Sequence, residues 1–345
     1  MRIVMHIGVH KTGTSALQYF LNANQLVLRK AGIFYQPSGQ HSTNHTGLAF
    51  AMRKGNTAQH QAARNTFNGL VRAARERGCN RLLLSSEGFT GQRMNMDIIR
   101  SLLEGHEATV IAYMRSADDL VASAFNQVVR DNALRWTRPI NVEPFAYDPS
   151  YSLAFEPWME FMAPDRLILA PYDVAQFYGR SILRDFLHML GVKDVDEFDF
   201  GVPPAEANSG MAAPLIELLR LLNRIPLSGA NHIALVAELR RLEMQNKDLC
   251  VRATKSLLTT AERRLLRLRT EANLEKFRPY FRAGFDDGFL RSDTVAELQP
   301  DQVRVQDPER ELSSLVLFHL LEKQHTRVAE LEKRLAELVK SHPHP

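Results

Sequence analysis

The chain has 345 residues and 45% of them are hydrophobic, which is enough for one large core or two modest ones. Its net charge of +4 is mildly basic, which suits an anionic substrate but does not require nucleic acid as a partner. Two cysteines are too few for a disulfide scaffold, and they lack the spacing of a metal site, so a reducing compartment is the simplest interpretation. The chain contains no apolar run of about 18 residues and opens without a signal-peptide pattern. We therefore expect a cytoplasmic protein with no transmembrane segment and no bound metal.

The N-terminal 18 residues have the pattern of a strand, a glycine loop and a helix. Arg2 to Ile7 is a short, mostly apolar run rich in β-branched residues, Gly8 to Gly13 reads as a loop, and a helical pattern starts at about Thr14. Such a turn directs backbone N–H groups and the positive end of a helix dipole into one small space, where an anion binds. Lys11 adds a full positive charge, and hydroxyl donors follow at Thr12, Thr14 and Ser15. The loop therefore predicts a site for a phosphate or sulfuryl group.

Strands and helices alternate through the next part of the chain. We predict further strands at 81–85, 108–114 and 166–172, and helices at 14–30, 57–77, 118–131, 151–162 and 179–190. Residues 36–55, which include His45, have little periodicity and read as a loop near the site. The alternation predicts a parallel sheet with helices on both faces. Ligands of such sheets bind at the carboxyl ends of the strands, so Lys11, Glu87 and Arg115, each just past a strand, are expected to meet at one edge.

The pattern divides the chain into three parts. Residues 1–200 are expected to form an α/β core with a P-loop-like parallel sheet, and 201–300 a mostly helical part that completes the core and the site. Residues 309–340 carry a heptad pattern, with apolar side chains in steps of three and four at Leu317, Leu321, Val328, Leu331, Leu335 and Leu338. This predicts a short coiled-coil-like helix, which would join copies of the chain into a homo-oligomer or pack on its own domain.

The spacing within the first loop distinguishes two classes of phosphate-binding loop. Gly8 to Ser15 nearly spells the nucleotide-triphosphatase pattern G-x-x-x-x-G-K-[ST], but Thr14 follows the second glycine and the lysine lies earlier, at Lys11. Lys-Thr-Gly-Thr-Ser after a first strand resembles the loop with which sulfotransferases grip the 5′-phosphosulfate of PAPS (3′-phosphoadenosine-5′-phosphosulfate). The longer run from His6 to Ser15 resembles bacterial members of this PAPS-dependent family. A second segment, Tyr113 to Ser123, resembles the family's 3′-phosphate signature.

The resemblance implies a P-loop-like sulfotransferase fold and transfer of a sulfuryl group from PAPS to an acceptor hydroxyl. By analogy with bacterial relatives, the acceptor would be a carbohydrate or glycoconjugate. Lys11 would neutralise charge growing on the bridging and leaving oxygens, and no metal would be needed. Arg115 and Ser123 would hold the 3′-phosphate. The other donor-binding residues implied are His10, Thr12, Gly13, Thr14 and Ser15.

The acceptor hydroxyl needs a general base, and two residues are candidates. Glu87 is the first choice, because relatives that modify sugars or tyrosine use a glutamate in this region. His45 is the alternative, because an unperturbed imidazole titrates near neutrality. Each residue also has a structural alternative. Glu87 would cap the next helix or pair with Arg93, and His45 would be a hydrogen-bonded loop histidine.

Other interpretations stay open for the whole chain and for its charged residues. The chain could be a P-loop kinase that uses ATP and Mg²⁺, or a non-catalytic assembly protein that binds a nucleotide or a polyanion. Arg115 could form a surface ion pair with Asp118 or Asp119. The arginines at 263–269 are expected on the solvated face of an amphipathic helix, with three leucines inward: Leu265, Leu266 and Leu268.

Overall fold

The computed structural model describes residues 1–38, 42–90, 94–140, 150–192, 200–201, 210–246 and 257–296, together with Val316. The chain forms two compact units. One comprises Met1–Ala124, Asn141–Ser209 and Thr260–Ala296, and the other comprises Phe125–Ile140, Gly210–Thr259 and Glu297–Pro345. The first unit thus includes residues 260–296, which the sequence pattern groups with the helical part.

The first unit is built on a five-stranded parallel sheet flanked by helices. The strands are β1 (Arg2–Ile7), β2 (Ile33–Phe34), β3 (Arg81–Ser86), β4 (Glu107–Met114) and β5 (Leu167–Pro171), in the order β2-β3-β1-β4-β5. The prediction of an α/β fold with a parallel sheet is therefore confirmed. The edge strand β2 has only two residues, which is too short for a periodic signal, and it was not predicted from the sequence.

The helices alternate with these strands and continue beyond them. In chain order the described helices are α1 (Thr14–Ala23), α2 (Gln25–Lys30), α3 (Thr46–Ala51), α4 (Thr57–Glu76), α5 (Met96–Leu103), α6 (Ala117–Arg130), α7 (Ser152–Met159), α8 (Ile182–Met189), α9 (Ala213–Leu222), α10 (Gly229–Gln245), α11 (Thr260–Glu271) and α12 (Leu274–Phe277). The helix predicted at 14–30 is divided at Asn24, whose side-chain amide donates to the carbonyl of Phe20 at 2.9 Å. Asn24 itself has a φ of −108° and a ψ of 23°, outside the helical region, which separates α1 from α2.

The core of the first unit holds both ends of the β1–α1 loop in place. β1 lies at the centre of the sheet, and Val4 on this strand is buried. Leu17 and Phe20 on the apolar face of α1 pack in one cluster with Phe186 and Leu187 of α8. Because the strand before the loop and the helix after it are both fixed by apolar burial, the loop has a defined position at the sheet edge.

The arginine-rich helix α11 differs from the expectation. Leu266 is buried as predicted, but Leu265 is 45% exposed and Leu268 is 51% exposed. Arg267 is buried instead, and both Arg267 and Arg263 pair with the buried Asp118 of α6 at 2.8 Å. The periodicity of α11 could not assign its inward face, because a buried carboxylate on a different helix decides it.

In the second unit, amide side chains join the helices. Asn126 in the C-terminal half of α6 donates to the carbonyl of Met211 at 2.7 Å and accepts from its N–H at 3.1 Å. Asn223, just after α9, donates to the carbonyl of Val129 at 2.8 Å. These bonds satisfy backbone groups at helix ends and at the segments that join the helices.

The heptad stretch predicted at 309–340 lies outside the described residues, apart from Val316. That residue is helical and buried within the second unit. Among the helices that the structure describes, none is long and apolar enough to cross a membrane.

Candidate functional site

The loop between β1 and α1 lies at the carboxyl end of the sheet, beside the ends of β3 and β4. In register, His6 of β1 pairs with Ser85 of β3 and with Ile111 of β4. The N–H of Gly8 donates to the carbonyl of Ser86 at 3.1 Å, which ties the start of the loop to the end of β3. The connection after β1 leaves in the opposite direction from those after β3 and β4, and open α/β sheets bind ligands at such positions.

Glycines allow the loop to fold tightly. A Cβ atom on Gly8 would lie 2.4 Å from Cγ2 of Thr14. Gly13 has a φ of 74°, and a Cβ there would lie 2.9 Å from Cδ1 of Ile182. Lys11 is also in the left-handed region, at a φ of 65°, which is uncommon for a residue with a side chain. Gly13 is the N-cap of α1 and offers no side-chain cap, so the first N–H groups of the helix are available to an anion.

The loop hydroxyls divide into two groups. Thr12 and Thr14 are buried, and both donate to the carbonyl of Val9, at 2.6 Å and 3.2 Å. Ser15 is exposed in the first turn of α1. In this arrangement the two threonines close the loop, and Ser15 is the hydroxyl of the three that faces solvent.

His10 and Glu87 form a pair beside the loop. Nδ1 of His10 lies 2.8 Å from Oε2 of Glu87, and the two side chains are 39% and 35% exposed. Glu87 begins a short 3₁₀ turn, Glu87–Phe89, and the hydroxyl of Ser86 caps this turn by accepting from the N–H of Gly88 at 3.0 Å. Because Ser86 supplies the cap, the carboxylate of Glu87 is left to contact His10.

Arg115, just past β4, also reaches the loop. Its Nη1 donates to the carbonyl of Lys11 at 2.8 Å, and its guanidinium lies 5.3 Å from the ring centroid of Tyr172. The hydroxyl of Tyr151 accepts from the N–H of Arg115 at 2.9 Å and donates to its carbonyl at 2.6 Å. These contacts hold Arg115 against the loop from several sides.

The acidic neighbours of Arg115 have other partners. Asp118 pairs with the arginines of α11, and Asp119 accepts from the hydroxyl of Ser116 at 2.9 Å. Ser123 lies further along α6 and is half-buried. Within the described residues, no hydrogen bond joins Ser123 to Arg115.

His45 lies against β3 rather than in the loop. It is fully buried, its Nδ1 accepts from the N–H of Ser85 at 3.1 Å, and its own N–H donates to the carbonyl of Ser85 at 2.9 Å. Burial lowers the pKa of His45 to about 4. The structure therefore brings Lys11, Glu87 and Arg115 to the loop with His10, while His45 is a neutral group within the core.

A chain of buried and half-buried polar side chains underlies the site, and it was not predicted from the sequence. Nδ1 of His6 lies 2.9 Å from the hydroxyl of Ser85, which accepts from Nε2 of Gln18 at 3.2 Å. The Gln18 carbonyl oxygen accepts from Nδ2 of Asn44 at 3.2 Å. Burial lowers the pKa of His6 to about 4. The sequence signal that could have identified these side chains is the presence of polar residues inside strand and helix faces that are otherwise apolar.

Two tyrosines that position Arg115 were also missed. Tyr172 directly follows β5, so the strand-end rule applied to Lys11, Glu87 and Arg115 would have found it. Tyr151 precedes α7 and carries no comparable signal.

Comparisons with protein-family models, with curated proteins and with solved structures found no match for this chain. Its function must therefore be inferred from the residues and contacts of the site.

Proposed function

We propose that the chain is a sulfotransferase that moves a sulfuryl group from PAPS to an acceptor hydroxyl on a carbohydrate or glycoconjugate. The main support is a contact between the two segments that resemble phosphate-binding signatures of the family. Arg115 follows β4, and its guanidinium donates to the carbonyl of Lys11 in the loop after β1, at 2.8 Å. Two cationic residues that are far apart in sequence thus lie at one edge of the sheet.

The residues of this edge suit a donor with several negative charges. Lys11 supplies a positive charge, and the N–H groups that begin α1 supply hydrogen-bond donors. Lys11, Gly13 and Ser15 would hold the phosphosulfate, and Arg115 with Ser123 would hold the 3′-phosphate. Thr12 and Thr14 would act indirectly by closing the loop through Val9. PAPS supplies an activated sulfuryl group, and the protein orients it and neutralises charge.

A P-loop kinase receives less support from the same contacts. Nucleotide triphosphatases use a carboxylate at the end of a core strand to help hold Mg²⁺. After β4 that position is Arg115, and after β3 it is Glu87, which already contacts His10 at 2.8 Å. A cation at one strand end and an engaged carboxylate at the other favour an anionic ligand over a metal–nucleotide complex.

Calorimetric titration with adenosine 3′,5′-bisphosphate, run beside ADP with Mg²⁺, tests the proposal. The native chain should bind the bisphosphate and not the ADP complex. Arg115→Ala should weaken bisphosphate binding by about 10- to 100-fold, the range of a charge-assisted hydrogen bond to phosphate. Arg72→Ala, on the exposed side of α4, removes the same charge away from the site and should leave the affinity unchanged.

Each alternative outcome has a defined meaning. A preference for ADP with Mg²⁺ would refute the sulfotransferase proposal and support a P-loop kinase. No binding of either nucleotide would refute both enzymes and favour an assembly protein. Equal losses in Arg115→Ala and Arg72→Ala would show that net charge, rather than the site, determines binding.

A further inference from the structure

We propose that His10 is the residue that takes the proton from the acceptor hydroxyl, with Glu87 as its positioning residue. This inference rests on the proposed sulfotransferase function and changes the roles that the family resemblance implies. The resemblance groups His10 with the donor-binding residues and makes Glu87 the base, and the ordinary pKa of imidazole makes His45 the alternative base. The contact between His10 and Glu87 instead supports His10 as the base and Glu87 as the residue that orients it.

The contact determines which nitrogen of His10 carries the proton. An ionised carboxylate only accepts hydrogen bonds, so the 2.8 Å contact from Oε2 of Glu87 to Nδ1 favours a proton on Nδ1. In the neutral imidazole the lone pair is then on Nε2, the arrangement of a histidine base oriented by a carboxylate. His45 has the opposite arrangement, because its Nδ1 accepts from the N–H of Ser85.

Exposure separates His10 from the other histidines near the sheet edge. His6 and His45 are fully buried, and burial holds the pKa of each at about 4. The side chain of His10 is 39% exposed, so a substrate from solvent can approach it. Of these three imidazoles, His10 alone combines a carboxylate partner with access to an acceptor.

The backbone holds the pair beside the proposed anion site. His10 immediately precedes Lys11, and Glu87 immediately follows β3. The segments that carry the pair are joined by the bond from the N–H of Gly8 to the carbonyl of Ser86. His10 and Lys11 are neighbours on this loop. His10 can accept the proton of the acceptor hydroxyl while Lys11 neutralises charge on the leaving group of the same transfer.

The step is balanced without a further reactant. The acceptor O–H bond breaks, its proton binds Nε2 of His10, and the acceptor oxygen forms a bond to sulfur. The bond from sulfur to the donor's phosphate oxygen breaks, and its electron pair remains on that phosphate. The imidazolium, held through Nδ1–H by Glu87, then releases its proton to solvent.

The first test requires no substrate. Long-range ¹H–¹⁵N spectra of the labelled chain give the tautomer of each histidine, and the His10 signals are those absent from His10→Gln. We expect neutral His10 to carry its proton on Nδ1, and Glu87→Ala to shift the proton toward Nε2. The exposed His188 of α8 serves as the control and should not change in Glu87→Ala. A proton on Nε2 of His10 in the native chain would overturn the inference.

The second test separates proton transfer from donor binding. Sulfate release from ³⁵S-labelled PAPS is measured with water as the acceptor, and bisphosphate affinity is measured by calorimetry. His10→Ala should lower the rate by about 100-fold or more, with partial recovery in added imidazole, and should keep the affinity within about threefold of native. Glu87→Ala should lower the rate less than His10→Ala, because a positioning residue acts through the base.

The contrary outcomes are distinct. A tenfold or greater loss of bisphosphate affinity in His10→Ala would make His10 a donor contact. A larger rate loss in Glu87→Ala than in His10→Ala, without rescue by imidazole, would make Glu87 the base. Failure of the native chain to bind the bisphosphate would refute the proposed function, and the inference with it.

Discussion

At the scale of single residues, the site depends on backbone conformations that few side chains tolerate. Lys11 and Gly13 both have positive φ, at 65° and 74°. The carbonyl of Lys11 faces Nη1 of Arg115 at 2.8 Å, so the conformation of this residue and the placement of the arginine are coupled. Strain of this kind persists only where surrounding contacts hold it, and the burial of Thr12 and Thr14 supplies such contacts.

Gly13→Ala should damage both stability and binding. An alanine at φ 74° costs about 1–2 kcal/mol, and its Cβ would also press on Ile182 at 2.9 Å. We expect a loss of about 2 kcal/mol in the free energy of unfolding by urea, with weaker binding of adenosine 3′,5′-bisphosphate. Gly69→Ala in α4 is the control, because its Cβ meets nothing within 4 Å. It should be neutral or stabilising by up to about 1 kcal/mol, and an equal loss in both variants would contradict the argument.

At the scale of elements, one buried carboxylate joins α11 to the part of α6 that lies in the first unit. Asp118 of α6 contacts Nε of Arg263 and Nε of Arg267 in α11, each at 2.8 Å. Burial opposes ionisation of Asp118, but the hydrogen bonds and charges of the two guanidinium groups outweigh it and lower its pKa. Since α6 begins two residues after Arg115, this connection helps to fix the segment that carries the arginine.

Asp118→Asn should destabilise the chain strongly at pH 7. The substitution leaves two arginines, one of them buried, without a compensating charge, and breaking such a cluster costs about 3 kcal/mol. Asp97→Asn is the matched control, because the Asp97 side chain is 94% exposed and 4.0 Å from Arg100. That change should stay within about 0.5 kcal/mol in the same urea titration. Similar midpoints for the two variants would show that the α6–α11 cluster contributes little.

At the scale of the whole molecule, buried histidines connect stability to pH. Burial lowers the pKa of His6 and His45 to about 4, whereas the ordinary value is 6.5. Between these values the unfolded chain binds more protons than the folded chain, so stability decreases as pH falls from 7 towards 4. The two residues both contact Ser85 of β3, so both contributions arise beside the strands beneath the site.

The predicted loss between pH 7 and pH 5 is about 2 kcal/mol for each of these histidines. His45→Asn removes one titrating group but retains an oxygen that can accept from the N–H of Ser85. Urea unfolding at the two pH values should therefore show a pH-dependent loss about 2 kcal/mol smaller than in the native chain. His188→Asn, on the exposed side of α8, should leave that loss unchanged. A native-like pH dependence in His45→Asn would exclude His45 as a contributor.

Local patterns were sufficient for the strand–loop–helix order, the parallel sheet and the strand-end positions of Lys11, Glu87 and Arg115. Periodicity and glycine placement are properties of short segments, and parallel strands bring their carboxyl ends to one edge. Packing across the chain decided the remaining features. The His10–Glu87 pair, the burial of His45 and the inward turn of Arg267 each depend on partners at distant positions. Hydrogen bonding and burial depend on neighbours in space, so these features cannot be predicted from the order of residues along one segment.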